Sequence, residues 1–313
     1  MSTIMIHTKE QVSTTPQTVL RRQKMKLIGI ALLIASIILS DSVSAQHKKS
    51  FQWIGGPTYV LQLGSFKILT DPMLCPKSDT AFVIKKHPST GAMNAYIQRL
   101  IAPPAFDTAN IDLLLVSHPH ADHFDREARA SLNKQLNVVA PGVNKATLQG
   151  WGFDHTTGLN WGDTTIMTKG DETLRIIAVE AMHAKDEPLR TELGKGNGYI
   201  IEYVYKNKTY RVYWTGDTVW FDNMEQYTKY GKINQFIPDM GAVGSDGKMG
   251  RRGLNSEDCL KIIKALNPDL ITPVHHSTFS MYVEPISQLQ QTLAATPYKN
   301  RLKIIQTGNT IKL

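Results

Sequence analysis

The sequence predicts a layered α/β protein in which sheet packs on sheet inside helical covers, and three observations predict it. Short strand-like runs come in clusters. Amphipathic helical segments fall between and after those clusters. No low-complexity linker or internal repeat interrupts residues 46–313, so one continuous domain is expected there.

Thr58–Leu63 and Phe66–Thr70 read as two strands joined at Leu63-Gly64-Ser65, and Asp71-Pro72 breaks the second. Residues 73–110 carry Pro76, Pro88, Pro103 and Pro104. They read as an irregular lid or binding wall with a short helix around 92–101. Ile111–Ser117 is an apolar run expected as a buried strand, with a helix over Asp125–Leu132 after it. A strand over Val138–Ala140 and a helix over Lys145–Trp151 follow. Thr164–Lys169, Thr173–Glu180, Gly198–Tyr205 and Thr209–Trp214 read as four strands, the last two turning at Asn207-Lys208. Ser256–Leu266 reads as a helix capped by Ser256, with Leu260, Ile263 and Leu266 on one face. A strand over Leu270–Pro273 and a helix over Glu284–Ala294 come next. Lys303–Thr307 and Thr310–Leu313 are expected to close the chain as a hairpin around Gly308-Asn309.

With 313 residues, 42% of them apolar, the chain can bury a large core. The formal charge is +8 and falls to +5 without residues 1–45. That mild excess suits solubility and anionic substrates. No dense Lys/Arg run with interleaved aromatics is present, so no nucleic-acid partner is expected. Arg21, Arg22, Lys24 and Lys26 precede an apolar run, Leu27–Leu39, and Val43-Ser44-Ala45 has the small-x-small pattern of a cleavage site. Residues 1–45 therefore read as an N-terminal extension and signal peptide, with translation starting at Met1 or Met25. Cleavage after Ala45 would leave a periplasmic or secreted chain from Gln46 with no stable membrane span. Cys75 and Cys259 are the two cysteines and are expected to be small buried apolar residues. Neither has zinc-type spacing, so any metal site must be built from histidine and carboxylate.

The strongest chemical signal is Ser117-His118-Pro119-His120-Ala121-Asp122-His123-Phe124-Asp125. Three histidines and a carboxylate fall within six residues, directly after a predicted buried strand. Imidazole nitrogen and carboxylate oxygen are ligands that zinc accepts, and manganese or iron also take such donors. A tight loop can aim the alternate side chains of His118 and His120 at one ion. Asp122 and His123, one turn further, can face a second.

His-x-His-x-Asp-His at a strand end resembles the metallo-β-lactamase superfamily. His183 after Val179-Glu180-Ala181, Asp217 in Tyr213-Trp214-Thr215-Gly216-Asp217-Thr218, and His275 in Pro273-Val274-His275 resemble the later landmarks of that family, in family order. The resemblance covers residues 51–313 and implies the metallo-β-lactamase fold, a four-layer αββα sandwich of two mixed β-sheets flanked by helices. It implies two Zn2+ ions. His118, His120 and His183 would hold one, Asp122, His123 and His275 the other, and Asp217 would bridge them. His275-His276-Ser277-Thr278-Phe279, Trp53-Ile54-Gly55-Gly56-Pro57-Thr58, Leu69-Thr70-Asp71-Pro72 and Leu254-Asn255-Ser256-Glu257-Asp258 resemble the ascorbate-phosphate-lactonase-like and N-acylphosphatidylethanolamine-phospholipase-D-like branches. The first string favours His275 over His276 as the ligand and leaves His276 to support the site or face the substrate. Gly56 and Gly253 depart from the pattern, because those relatives often carry histidine at both positions.

The resemblance implies an exported metal-dependent hydrolase acting on a small-molecule or lipid substrate. A metal-bridged hydroxide would cleave an ester, lactone, amide or phosphodiester bond, with Asp122 as the catalytic carboxylate. The alternative is a non-catalytic or redox metal-binding protein on the same scaffold. No Gly-x-Ser-x-Gly motif offers a serine nucleophile. The loop 244–253, with four glycines and the cations Lys248, Arg251 and Arg252, reads first as a solvated loop and second as a grip for an anionic substrate group. Lys185 and Arg190, just after His183, carry the same pair of readings.

Overall fold

Strand after strand in this chain is apolar at consecutive positions, and such strands need cover on both faces. The computed structural model describes residues 48–84, 87–91, 96–245 and 250–313 and supplies that cover. The expected signal, residues 1–45, lies outside the described residues, as does Lys248.

The described chain runs through β1 (Lys49–Gly55), β2 (Thr58–Leu63), β3 (Phe66–Thr70), β4 (Ser78–Phe82), β5 (Ile97–Arg99) and β6 (Leu113–Leu115). Helix α1 (Arg126–Ser131), β7 (Val138–Pro141), α2 (Lys145–Gly150), β8 (Thr156–Leu159), β9 (Thr164–Lys169) and β10 (Glu172–Ala181) follow. Then come α3 (Glu187–Leu193), β11 (Gly196–Tyr205), β12 (Lys208–Trp214), β13 (Gln235–Ile237), α4 (Ser256–Leu266), β14 (Leu270–Ile271), α5 (Ile286–Ala294) and β15 (Thr310–Lys312). One sheet has the order β15-β1-β2-β3-β6-β7-β8, and the other β14-β13-β12-β11-β10-β9. Both are mixed: β3, β6, β7 and β8 run parallel, as do β12, β13 and β14, while the remaining pairs are antiparallel.

Successive side chains on a strand point to opposite faces, and the cores follow that period. Leu113 and Leu115 join Ile176, Ala178 and Trp214 between the sheets. Leu114 and Val116 face outward against Phe124, Ala128 and Leu148 around α1 and α2. Ile177 and Val179 face outward from the other sheet against Ile262, Ile263 and Leu289 of α4 and α5. The layers are thus helix, sheet, sheet, helix. No helix among the described residues is long and apolar enough to cross a membrane.

Several local expectations are corrected. Residues 97–99 form a strand rather than part of a helix, paired with β4. Ile97 and Arg99 point inward and Gln98 outward, and the Arg99 guanidinium donates to the carbonyls of Met73 (2.8 Å) and Ile101 (2.9 Å), so tertiary anchors outweigh local preference. Asn255, not Ser256, caps α4 by accepting from Asp258 N at 2.9 Å, while Ser256 N donates to Glu284 at 2.8 Å. Residues 303–307 form no strand. β15 instead pairs with Ser50–Gln52 of β1. Both cysteines are free, and Cys75 is half-buried rather than buried, with its sulfur against Arg99.

The β2–β3 turn ties the two sheets together. Ser65 N donates to Glu172 at 2.7 Å, and Glu172 is fully buried. Gly64 has φ +58°, and a Cβ there would lie 2.2 Å from the Tyr203 hydroxyl oxygen. Gly64→Ala is therefore expected to destabilise the protein by about 2–5 kcal/mol, the sum of a left-handed backbone cost and overpacking. Denaturant unfolding checks this, and Tyr203→Phe should recover part of the loss.

Candidate metal centre

Five strand ends deliver the cluster. β3 and β6 are parallel, so Asp71 and the 117–123 loop emerge from the same edge of their sheet. β10 and β12 both run antiparallel to β11, and β14 is parallel to β12 through β13, so His183, Asp217 and His275 share one edge of the other. Gly216 lets the two edges meet. Its φ is +55°, and a Cβ there would lie 2.7 Å from the Asn197 carbonyl and 2.8 Å from Ser117 Cβ. Only glycine lets the Asp217 loop approach this closely.

All seven sequence-predicted ligand candidates converge. His118, His120 and His183 form one group, and Asp122, His123, Asp217 and His275 a second, each with its ligand atoms within 4.8 Å of one another. His118 Nε2 and His183 Nε2 are 3.2 Å apart. Asp217 Oδ2 lies 3.2 Å from His123 Nε2 and 3.6 Å from His183 Nε2, so this carboxylate touches both groups. Asp122 Oδ2 is 3.8 Å from His123 Nε2 and 3.9 Å from His275 Nε2. His123 Nε2, His275 Nε2 and Asp217 Oδ1 are buried and have no hydrogen-bond partner. Buried polar atoms are ordinarily satisfied, and a convergent set of orphaned nitrogen and oxygen donors fits divalent cations.

The opposite ring nitrogens are engaged. His123 Nδ1 lies 2.6 Å from Asp71 Oδ2, His183 Nδ1 2.9 Å from the Arg252 carbonyl, and His275 Nδ1 2.9 Å from the Met240 carbonyl. His120 Nε2 lies 2.9 Å from the Leu193 carbonyl. Such bonds fix tautomer and ring orientation. Asp71 also accepts from Ser117 N at 2.7 Å and from the Ser117 hydroxyl. Its φ of 24° and that of His275, 58°, place both in the left-handed region.

Burial, joined by the charges of His123, His120 and His183, pushes the His118 pKa well below its usual value and keeps the ring neutral. Burial also lowers His183. Burial opposes ionisation of Asp217, but His275 and His123 outweigh it and hold the carboxyl well below the usual range. Burial opposes charge on His123 as well, yet Asp217 and Asp122 raise its pKa well above normal. Asp239, buried beside the cluster, is pushed well above the carboxylate range by burial and by Asp217. It stays neutral and adds no further negative charge.

A cleft of about 220 Å³ opens over the cluster, lined by Val83, Ile84, Ala121 and Leu193 together with Asp122 and Arg252. Arg251 is elsewhere: its guanidinium binds Asp258 of α4. The neighbouring Arg252, 3% exposed, forms the cleft wall instead. His276 turns into the interior, its ring 4.4 Å from that of Trp53, and burial lowers its pKa to about 4. Gly56 could not hold a larger side chain without a shift, since a Cβ would meet Phe279 at 3.0 Å at a φ of +57°, whereas Gly253 has room. Sequence reasoning missed Asp71 as the partner of His123, although its place at a strand end and the Leu69-Thr70-Asp71-Pro72 string had singled it out. It also missed Tyr282, whose ring stands edge-on to His275 at 4.8 Å.

Residues 68–276 match the family described as beta-lactamase superfamily domain. The N-acyl-phosphatidylethanolamine-hydrolyzing phospholipase D 1 of Caenorhabditis elegans is 26% identical over 280 residues, covering 82% of this chain and 73% of that protein. A UPF0173 metal-dependent hydrolase of Enterococcus faecalis is 28% identical over 206 residues, covering 64% of this chain and 80% of the relative. The crystal structure of a possible metal-dependent hydrolase from Veillonella parvula superposes with a TM-score of 0.70 at 19% identity, covering 85% of this chain and 100% of the other, and shares the fold. The family match takes in every residue of the His/Asp cluster, and the chain belongs to the beta-lactamase superfamily.

Proposed function

We propose that this protein is an exported, metal-dependent hydrolase that holds two zinc ions and cleaves an ester, lactone, amide or phosphodiester bond. The observation that carries the reading is the pair of donor groups joined by Asp217, with buried donor atoms that no protein group satisfies. Hydrolysis is also what the names of the worm and enterococcal relatives describe. Imidazole and carboxylate donors suit zinc, with manganese and iron as rivals. Two dications bound there would supply Lewis acidity and lower the pKa of water towards neutrality.

The chain's own groups do the rest. His120, His123, His183 and His275 are held by their rear hydrogen bonds, and His118 Nδ1 lies 3.0 Å from the Ser117 hydroxyl, so little reorganisation accompanies binding. The Asp122 side chain is 12% exposed, against 2% for Asp217, and lines the cleft. It would orient an incoming water and carry a proton to the leaving group. Val83, Ile84 and Leu193 exclude water and favour a substrate with an apolar portion next to the scissile bond. Arg252 gives that wall one positive charge.

The zinc-loaded chain should turn over at least one member of a panel of lactones, phosphodiesters, simple esters and β-lactams. Asp122→Ala should lower that rate by about 100-fold or more. An Asp122→Ala variant as fast as its parent contradicts the reading. Asp71→Asn leaves the seven expected ligands in place but loosens His123, and should weaken metal binding about 10- to 100-fold in a chelator competition. Export should leave Gln46 as the first residue, which N-terminal sequencing of the secreted protein reads directly.

A further inference from the structure

A cavity of about 510 Å³ shares no lining residue with the metal cleft. Helix α3 separates the two functions: Leu193 faces the cleft, while Arg190 and Thr191 line the cavity. Trp161, Glu180, Met182 and Lys195 complete most of its wall. Trp161 is 39% exposed, and its indole N–H donates to the Gly196 carbonyl at 2.9 Å, which fixes the ring. Lys195 Nζ stands 5.1 Å from that ring.

The charges here are not balanced as they are elsewhere. Arg211 and Arg251 each grip a carboxylate, as do Lys67 and Lys261. Arg190 and Lys195 form no ion pair among the described residues. The Arg190 guanidinium meets only the Met182 sulfur at 3.8 Å, and Lys195 meets the Trp161 ring. Trp161 and Lys195 also line an adjoining cavity of about 230 Å³ that runs past Leu159 to Val143, which is 61% exposed. An aromatic platform, an apolar extension, two cations that grip no carboxylate and one carboxylate, Glu180, thus occupy one groove, which leaves a net positive charge there.

We propose that this groove is a second ligand site, for a small amphipathic anion with an aromatic or polycyclic body and one carboxylate, sulfonate or phosphate group. The body would lie on Trp161 and reach towards Leu159 and Val143. The anionic group would sit between Arg190 and Lys195 and, together with Glu180, balance their two charges. The volume matches small-molecule pockets in general. The site needs no metal and is independent of the hydrolytic reading.

The test is fluorescence titration of the full chain with 8-anilinonaphthalene-1-sulfonate, an aromatic sulfonate. N-phenyl-1-naphthylamine serves as its uncharged counterpart. One saturable site is expected, with equal affinity in metal-loaded and metal-stripped protein. The double variant Arg190→Gln/Lys195→Gln should lose about tenfold in affinity for the sulfonate and keep its affinity for the neutral probe. Trp161→Ala should weaken both probes. These side chains are exposed or half-buried, so thermal unfolding should be unchanged and report intact folding. Unchanged sulfonate affinity in either variant overturns the assignment.

Discussion

The structure turns on a crowd of donors that protein chemistry alone cannot satisfy. Five imidazoles and two carboxylates bring their ligand atoms together in two adjoining groups. His123 Nε2, His275 Nε2 and Asp217 Oδ1 have no hydrogen-bond partner, and each buried unsatisfied group costs about 1–3 kcal/mol. Protonating the histidines together would replace that cost with mutual repulsion, which adds to burial in depressing His118. A cation relieves both problems, because it accepts every lone pair and neutralises the carboxylates.

Much of the surrounding architecture keeps these donors in place before any ion arrives. Two sheets each deliver the C-terminal ends of their strands to one edge, and the shared core between them sets the distance across which the ligands meet. Backbone carbonyls of Leu193, Met240 and Arg252, together with the Asp71 carboxylate, hold the rear of the rings. The left-handed backbone at Asp71 and His275 costs about 1–2 kcal/mol each, and such strain persists where surrounding contacts over-determine it. α3 presents its last carbonyl to His120, while its Arg190 and Thr191 line a separate groove.

The layered fold was legible because buried strands such as Leu113–Val116 and Ile176–Val179 are apolar on both faces, a pattern that surface strands lack. The ligand candidates were legible because three histidines and an aspartate crowd one short loop and the remaining residues follow in order. What escaped was decided by contacts distant in sequence. The strand at Ile97–Arg99 exists because Arg99 is anchored to Met73, and no local pattern encodes that. Asp71 reads as a strand breaker until His123, 52 positions later, folds onto it. Arg251 and Arg252 are equal candidates in sequence. Only the position of Asp258 on α4 decides which of them turns away from the cleft.

Anomalous scattering from crystals of the zinc-loaded chain, recorded on either side of the zinc absorption edge, tests the central claim most directly. Two peaks are predicted, one among His118, His120 and His183 and one among Asp122, His123 and His275, with Asp217 between them. Ordered side chains with no anomalous peak among them would contradict the account.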